Sequence, residues 1–294
     1  MSYVNKSLQK KDAMALVTGK PVYTDDLAPK DCLIIKILRS PHAFAKIIEI
    51  DTTAASRVPG VAAIYTYKDV PDSRFTLAGQ TFPEPSPYDR KILDQIVRYV
   101  GDEVALVVAD NEETAMRAMK LIKVKYEVYE PILDFRKAID HPSVIHAEDD
   151  YKMLCEIGND RFRNILAHEE TSYNDVDEAF SHCDVVLQRT YHTKANAQAM
   201  METMRSFAYI DAYGRLNCVS STQVPFHIRR ILSNALEIPK SKIRVIKPRI
   251  GGGFGAKQTG CTEIFAAFVT WKLKRPSKIV YTREETLTAS NSRH

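Results

Sequence analysis

Long apolar runs are missing from this chain of 294 residues. The longest, Val104 to Ala109 and the segment around Ile264 to Phe268, fall far short of the roughly 20 residues a helix needs to cross a bilayer. No transmembrane helix and no membrane partner are expected. No apolar stretch follows Lys6, Lys10 and Lys11 as it would in a secretory leader, so the chain reads as cytoplasmic. Cysteine is scarce and scattered, with five residues at 32, 155, 183, 218 and 261 and no Cys-x-x-Cys pair. That spacing argues against a disulfide framework, a zinc site or an iron–sulfur cluster held by this chain alone. About four of the five are expected to be small buried hydrophobes. Charge of one sign is not concentrated: the formal net charge is +4 and no block of five or six like charges occurs, so nucleic acid is not an expected partner. Glycine and proline, 11 and 14 residues, are too few for a low-complexity chain.

What is present is the pattern of a globular chain of mixed α/β class. Apolar residues make up 45% and charged residues 27%, and the length suggests about two domains at roughly 150 residues each. Leu33, Ile35 and Ile37 alternate within Cys32 to Leu38, and Ile47, Ile48 and Ile50 follow, so both segments read as strands. Asp51 is placed to cap a short helix through Ala54 and Ala55. The Val58-Pro59-Gly60 turn ends that helix before the apolar strand Val61 to Tyr65, giving a βαβ-like unit. Pro83, Pro85 and Pro87 make Gly79 to Arg90 a surface loop. Val104 to Ala109 reads as a buried strand, Asn111 caps a helix with Ala115, Met116, Met119 and Ile122 at helical spacing, and another strand ends near Val128. Periodicity weakens from Glu130 to Tyr151 and resumes near Asn164. This pattern divides the chain into a domain at 12–130, a linker at 131–163 and a second domain at 164–294.

The second domain is expected to begin with a strand at Ile165 to Ser172, a helix at Asp175 to Cys183 and a strand at Asp184 to Thr190. Strands Phe207 to Ile210 and Leu216 to Ser220, a helix from Pro225, strand Ile243 to Ile246, helix Thr262 to Leu273 and strand Lys278 to Tyr281 follow. Asn291 to His294 carries no helix stop signal, and this domain reads as incomplete.

The strongest local feature is Gly251-Gly252-Gly253-Phe254-Gly255-Ala256-Lys257-Gln258, soon after a strand and before a helical segment. Glycines permit close backbone approach, and exposed N–H groups in such a turn can cradle an anion or oxo group. A tight structural turn is an equal reading for a glycine cluster met alone. A Walker A loop is excluded because Lys257 follows Ala256 and precedes Gln258, and a dinucleotide fingerprint lacks its acidic residue at the next strand end, Tyr281. The second feature is Ser221-Thr222-Gln223-Val224-Pro225, which puts Gln223 at the carboxyl end of a strand, where α/β sheets gather ligands. An ordinary helix cap is the plainer alternative. His42, His192 and His227 lack paired metal-ligand spacing and read as structural, while Arg229 and Arg230 read as the solvated face of the Pro225 helix.

Taken together these segments resemble the molybdenum-binding subunit of the xanthine oxidase and xanthine dehydrogenase family of molybdenum hydroxylases. Val17-Thr18-Gly19 and Tyr23-Thr24-Asp25-Asp26 look like the family's opening. Leu38-Arg39-Ser40-Pro41-His42-Ala43, Val58-Pro59-Gly60-Val61 and Val100-Gly101-Asp102-Glu103-Val104-Ala105 look like its α/β hammerhead domain. Met201-Glu202, Ser221-Thr222-Gln223, Gly251 to Gly255 and Thr282-Arg283-Glu284-Glu285 then follow as in the first part of its molybdopterin-binding domain.

The resemblance implies a molybdenum–molybdopterin cofactor and hydroxylation of an N-heterocycle, xanthine-like first and nicotinate-like second, or of an aldehyde, with water as the oxygen source. It implies that Gln223 hydrogen-bonds a molybdenum oxo group and that Gly252, Gly253, Phe254 and Gly255 bind the cofactor, with Phe254 also near the metal. Gln258 would face the substrate, at a position where purine-oxidising members often carry glutamate. Glu202 would lie near the pocket, though a cap or ion pair suits it equally. The general-base glutamate and several pterin contacts would lie beyond these residues, on a carboxyl-terminal remainder, and [2Fe–2S] and FAD on an iron–sulfur subunit and an FAD subunit. A non-catalytic module that docks those subunits is the alternative reading.

Overall fold

The computed structural model describes residues 3–20, 22–77 and 81–291; Gly79 and Ser292 to His294, named above, lie outside the described residues. The first part contains helix α1 (Ala13–Val17), strands β1 (Leu33–Arg39) and β2 (Ala45–Asp51), helix α2 (Thr53–Ser56), and strands β3 (Val61–Tyr65), β4 (Ile96–Val97) and β5 (Glu103–Ala109), then helix α3 (Glu112–Met119) and strand β6 (Lys123–Val128). Helix α4 (Val176–Ser181), strands β7 (Arg205–Ile210) and β8 (Leu216–Ser220), helix α5 (Pro225–Leu236), strand β9 (Ile243–Ile246), helix α6 (Glu263–Leu273), strand β10 (Ser277–Val280) and helix α7 (Arg283–Thr288) follow. The class is mixed α/β.

Two sheets form, one in the order β3-β5-β1-β10-β7-β8-β9 and one in the order β4-β2-β6. The larger sheet draws strands from both parts of the chain. β1 runs antiparallel to β5, with Ile35 opposite Val108, and parallel to β10 on its other edge, with Leu33 opposite Ser277. β5 is buried along its whole length, which is why Val104 to Ala109 carries apolar residues without alternation. Arg39, at the end of β1, reinforces the joint: its guanidinium lies 3.3 Å from Glu285 of α7 and 4.6 Å from the centre of the Tyr281 ring. Tyr65 of β3 meets Phe268 of α6 edge-on, with ring centres 5.0 Å apart.

Helix placement follows from local chemistry. Asn111 accepts the N–H of Thr114 and starts α3, which buries Ala115 and Ala118. Pro225 opens α5, whose buried face is Ile228, Ile231, Leu232, Ala235 and Leu236. α6 is buried from Glu263 to Thr270, and its hydroxyl at Thr270 donates to the carbonyl of Ala208 at 3.1 Å, fixing helix to sheet.

Several sequence expectations are corrected. β2 belongs to the smaller sheet and β3 to the larger, so they do not form a βαβ unit. The four-residue α2 is too short for a crossover, which takes a dozen residues or more. Its N-cap is Thr52, while Asp51 accepts the N–H of Thr53 at 2.9 Å. Residues 165–172 and 184–190 form no strands. Val185, Val186 and Leu187 are 72%, 56% and 75% exposed, and no neighbouring strand among the described residues supplies a hydrogen-bond ladder. α4 does form, with Asp175 accepting the N–H of Glu178. Two cysteines rather than four are buried, Cys32 and Cys218, and all five are free.

The proline-rich loop is not purely superficial. Glu84 and Tyr88 are buried within it, and Arg230 of α5 reaches Glu84 at 2.8 Å while the Tyr88 hydroxyl donates to the same carboxylate at 3.1 Å. Arg230 therefore leaves the solvated face, where Arg229 remains. Removing one partner of such a pair strands a buried charge, at a cost of about 3–5 kcal/mol. No helix among the described residues is long and apolar enough to cross a membrane.

Residues 144–151 are fastened by ion pairs. Glu148 lies 3.0 Å from Arg98 and 3.3 Å from Arg74, Asp150 meets Arg74 at 2.6 Å, and His146 Nδ1 is 2.9 Å from Glu148. Burial raises the Glu148 carboxyl, but the His146 hydrogen bond and the Arg98 charge outweigh it and hold the group at about 2. Because the folded value is depressed, the stabilisation is complete above the ordinary carboxyl value of 4.5 and is lost as pH falls from there towards about 2. Glu148→Gln should therefore expose 144–151 to proteolysis already at neutral pH, a state the parent chain reaches only in that acid window. Mass-mapped cleavage rates that are equal for the two proteins at neutral pH would refute this.

Candidate active site

β8 and β9 run side by side in parallel, with Cys218 opposite Val245 and Val219 opposite Ile246. Their carboxyl ends therefore open at the same edge of the sheet, and α5 is the crossover between them. Residues 221–224 leave β8 and residues 247–262 leave β9, so two segments separated in sequence by a whole helix meet over that edge. Gln223 and the glycine loop are brought together in this way.

The contact is close. The N–H of Gln223 donates to the carbonyl of Lys257 at 2.8 Å. Its side-chain Oε1 accepts from the N–H of Gly255 at 3.1 Å and from the N–H of Lys257 at 3.3 Å. With Oε1 held by two donors, the amide orientation is assigned by its hydrogen bonds, and Nε2, which makes none among the described residues, is left as a free donor. Gly253 permits this packing: a Cβ there would lie 2.5 Å from Gln223 Oε1. Thr222, also buried, donates to the Lys257 carbonyl and accepts the N–H of Val224. It shapes the segment rather than facing outward.

The loop takes positive φ at three positions. Gly252, Phe254 and Gly255 have φ of 93°, 50° and 92°, and the N–H groups of Gly252, Gly253 and Phe254 find no hydrogen-bond partner among the described residues. Such consecutive free donors form a nest for negative charge. Phe254 is left-handed without being glycine and is 71% exposed, a strained aromatic at the rim of the loop.

Beneath the loop lies a buried ion pair. Glu202 Oε2 accepts from the N–H of Gly251 at 2.8 Å and from Lys257 Nζ at 2.9 Å. Burial pushes the Lys257 ammonium below its ordinary value, against the opposing pull of Glu202. Deeper still, Glu263 takes a hydrogen bond from the Ser220 hydroxyl and one from the N–H of Cys261 at 2.8 Å, and burial pushes its carboxyl up. Sequence reasoning weighed Lys257 only as a phosphate-binding lysine and passed over Glu263. The one signal for the pair was Glu202, for which an ion-pair role was already in view.

Gln258 is half-buried, with its N–H 3.4 Å from the carbonyl of Gly255 and no side-chain partner among the described residues. His192 is exposed, His42 packs edge-on against Tyr126 with ring centres 4.9 Å apart, and burial and Arg230 lower His227. Among the described residues no cluster of three or more His, Cys, Asp or Glu is set to hold a metal. A cavity of about 420 Å³ at the seam of the two parts, lined by residues such as Arg90, Tyr99 and Cys261, includes neither Gln223 nor the glycine loop.

Comparison with known proteins bears on both parts. Residues 18–130 match the aldehyde oxidase and xanthine dehydrogenase a/b hammerhead domain, and residues 158–294 match the molybdopterin cofactor-binding domain. The whole chain is 38% identical to a probable hypoxanthine oxidase of Escherichia coli but spans 33% of that protein's length. It is 31% identical, over 99% of its own length and 64% of the relative's, to the nicotinate dehydrogenase large molybdopterin subunit of Eubacterium barkeri. The aldehyde oxidoreductase of Desulfovibrio gigas shares the fold with a TM-score of 0.82 at 24% identity, over 97% of this chain and 31% of that one. Through these two domains the chain belongs to the xanthine dehydrogenase and aldehyde oxidase family of molybdenum hydroxylases.

Proposed function

We propose that this chain supplies one wall of the active site of a molybdenum hydroxylase that acts on an N-heterocycle, purine-like in preference to nicotinate-like, or on an aldehyde. The observation that carries the reading is the free Nε2 donor of Gln223, held in place by the glycine loop and set beside the unpaired N–H groups of Gly252, Gly253 and Phe254. These donors fit a molybdenum–pterin cofactor, whose oxo group is an acceptor, and a Cβ at Gly253 would fill the space that lets Gln223 approach.

When bound, the cofactor supplies a two-electron oxidation in which water provides the oxygen: a carbon–hydrogen bond is replaced by carbon–oxygen, and two electrons and two protons leave. Gln223 Nε2 donates to the acceptor facing it, and the loop N–H groups hold negative charge in place before reaction, when no reorganisation is needed. Gln258, two residues past Ala256, orients the substrate ring. Proton removal is not assigned to a carboxylate of this wall, because Glu202 is engaged by Lys257 and Gly251, and Glu263 by Ser220 and Cys261. Partner subunits would hold the [2Fe–2S] and FAD groups that accept these electrons. The purified native complex should contain molybdenum and incorporate oxygen from isotopically labelled water into product. Label arriving from dioxygen instead would overturn the reading.

Gln223→Ala in the assembled complex should lower kcat on the order of 10²-fold with molybdenum content unchanged, since a lost donor to developing charge has about that effect. Normal turnover at normal metal content would remove Gln223 from the mechanism. Gln258→Glu tests specificity. An amide both donates and accepts, whereas an ionised carboxylate only accepts. kcat/KM should therefore redistribute among purines and pyridine carboxylates by about 10-fold or more. Identical ratios across a substrate panel would show that Gln258 does not touch substrate.

A further inference from the structure

One carboxylate oxygen closes the glycine loop on itself. Glu202 Oε2 takes the N–H of Gly251 at the start of the loop and the ammonium of Lys257 at its end. Lys257 is joined to Gln223 twice through its backbone, its carbonyl accepting the Gln223 N–H and its own N–H donating to Gln223 Oε1. A line of contacts thus runs from Glu202 through Lys257 to the amide whose Nε2 faces the proposed cofactor. We infer that Glu202 and Lys257 are positioning residues, a clamp that fixes the loop so that Gln223 presents its donor in one orientation; the inference rests on the role proposed for Gln223.

Three observations favour this over mere stability. The pair is almost wholly buried, with side-chain exposures of 8% and 1%, and a buried ion pair is weak evidence for stability because desolvation offsets attraction. Glu202 Oε1 is buried with no hydrogen-bond partner, so the carboxylate is held through Oε2 alone and leaves one buried acceptor unsatisfied, which detracts from its worth to stability. Gly251 yields its side chain to the arrangement: a Cβ there would lie 2.6 Å from Glu202 Cβ.

The test compares Glu202→Gln, Lys257→Met and the double variant in the assembled complex, reading kcat, KM, molybdenum content and hydrogen exchange at the amides of Gly255 and Lys257. Glu202→Gln should speed exchange at those two amides by about 10-fold or more. It should lower kcat by about 10- to 100-fold, as a displaced reacting geometry does, with KM and molybdenum content kept. The double variant, which leaves no unpaired buried charge, should assemble even where a single one does not, and its kcat should be no lower than that of either single variant. Unchanged exchange would overturn the clamp, as would loss of molybdenum in parallel with kcat. Faster exchange with full turnover would overturn catalytic positioning, and the Gln223→Ala variant then separates the causes. If that variant is also fully active, it is the role of Gln223 that fails; if it is impaired, the link from the clamp to Gln223 fails.

Discussion

The parallel pairing of β8 with β9 is the constraint from which the candidate site follows. Parallel neighbours need a crossover, and the crossover helix α5 has to bury one apolar face against the sheet. Once it does, the peptide leaving each strand emerges at the same edge, and the two emerging segments must pack against each other. Their contact leaves no room for a side chain at 253, and Glu202, ahead of β7, leaves none at 251. Glycine there is a requirement of packing before it is a requirement of chemistry, and the free backbone donors follow from it.

The second dependence is the seam. β10, from the end of the described chain, lies between β1 and β7, so the larger sheet is continuous only because strands far apart in sequence alternate in it. Arg39 serves this seam electrostatically, facing Glu285 and Glu103 while its flat guanidinium covers Tyr281. The small sheet β4-β2-β6 shares no ladder with the larger one; its Ala45, Ile47 and Val97 cluster with Val104 of β5.

Sequence reading reached the elements whose signals are local. Asn111 before α3, Pro225 at the start of α5 and the unbroken apolar run in β5 are each written within a few residues, and each element formed. It failed where the outcome depends on a distant partner. Val185 to Leu187 looks like a strand, yet extended backbone needs a neighbour to pair with, and nothing in the residues themselves states whether one exists. The loop from Thr81 to Arg90 looked superficial by its prolines, but Glu84 is buried because Arg230, more than a hundred residues later, comes to meet it. At the site, Gln223 and the glycine loop stood out through their positions after strands. The link between Lys257 and Glu202 did not, because an ion pair across the intervening strands and helix leaves no spacing rule to read.

The order in which the chain is made gives the seam a further meaning. Arg39 and Glu285 meet across 246 residues, and β1 has no neighbour on one side until β10 has been synthesised. A growing chain therefore carries β1, with Leu33, Ile35 and Ile37, as an open sheet edge until Ser277–Val280 has been made. Contacts of such separation slow folding because the loop-closure entropy comes before the contact that offsets it. During that interval an unpaired apolar edge is a template for other strands, so the step most exposed to misassembly is the wait for Ser277–Val280 to arrive.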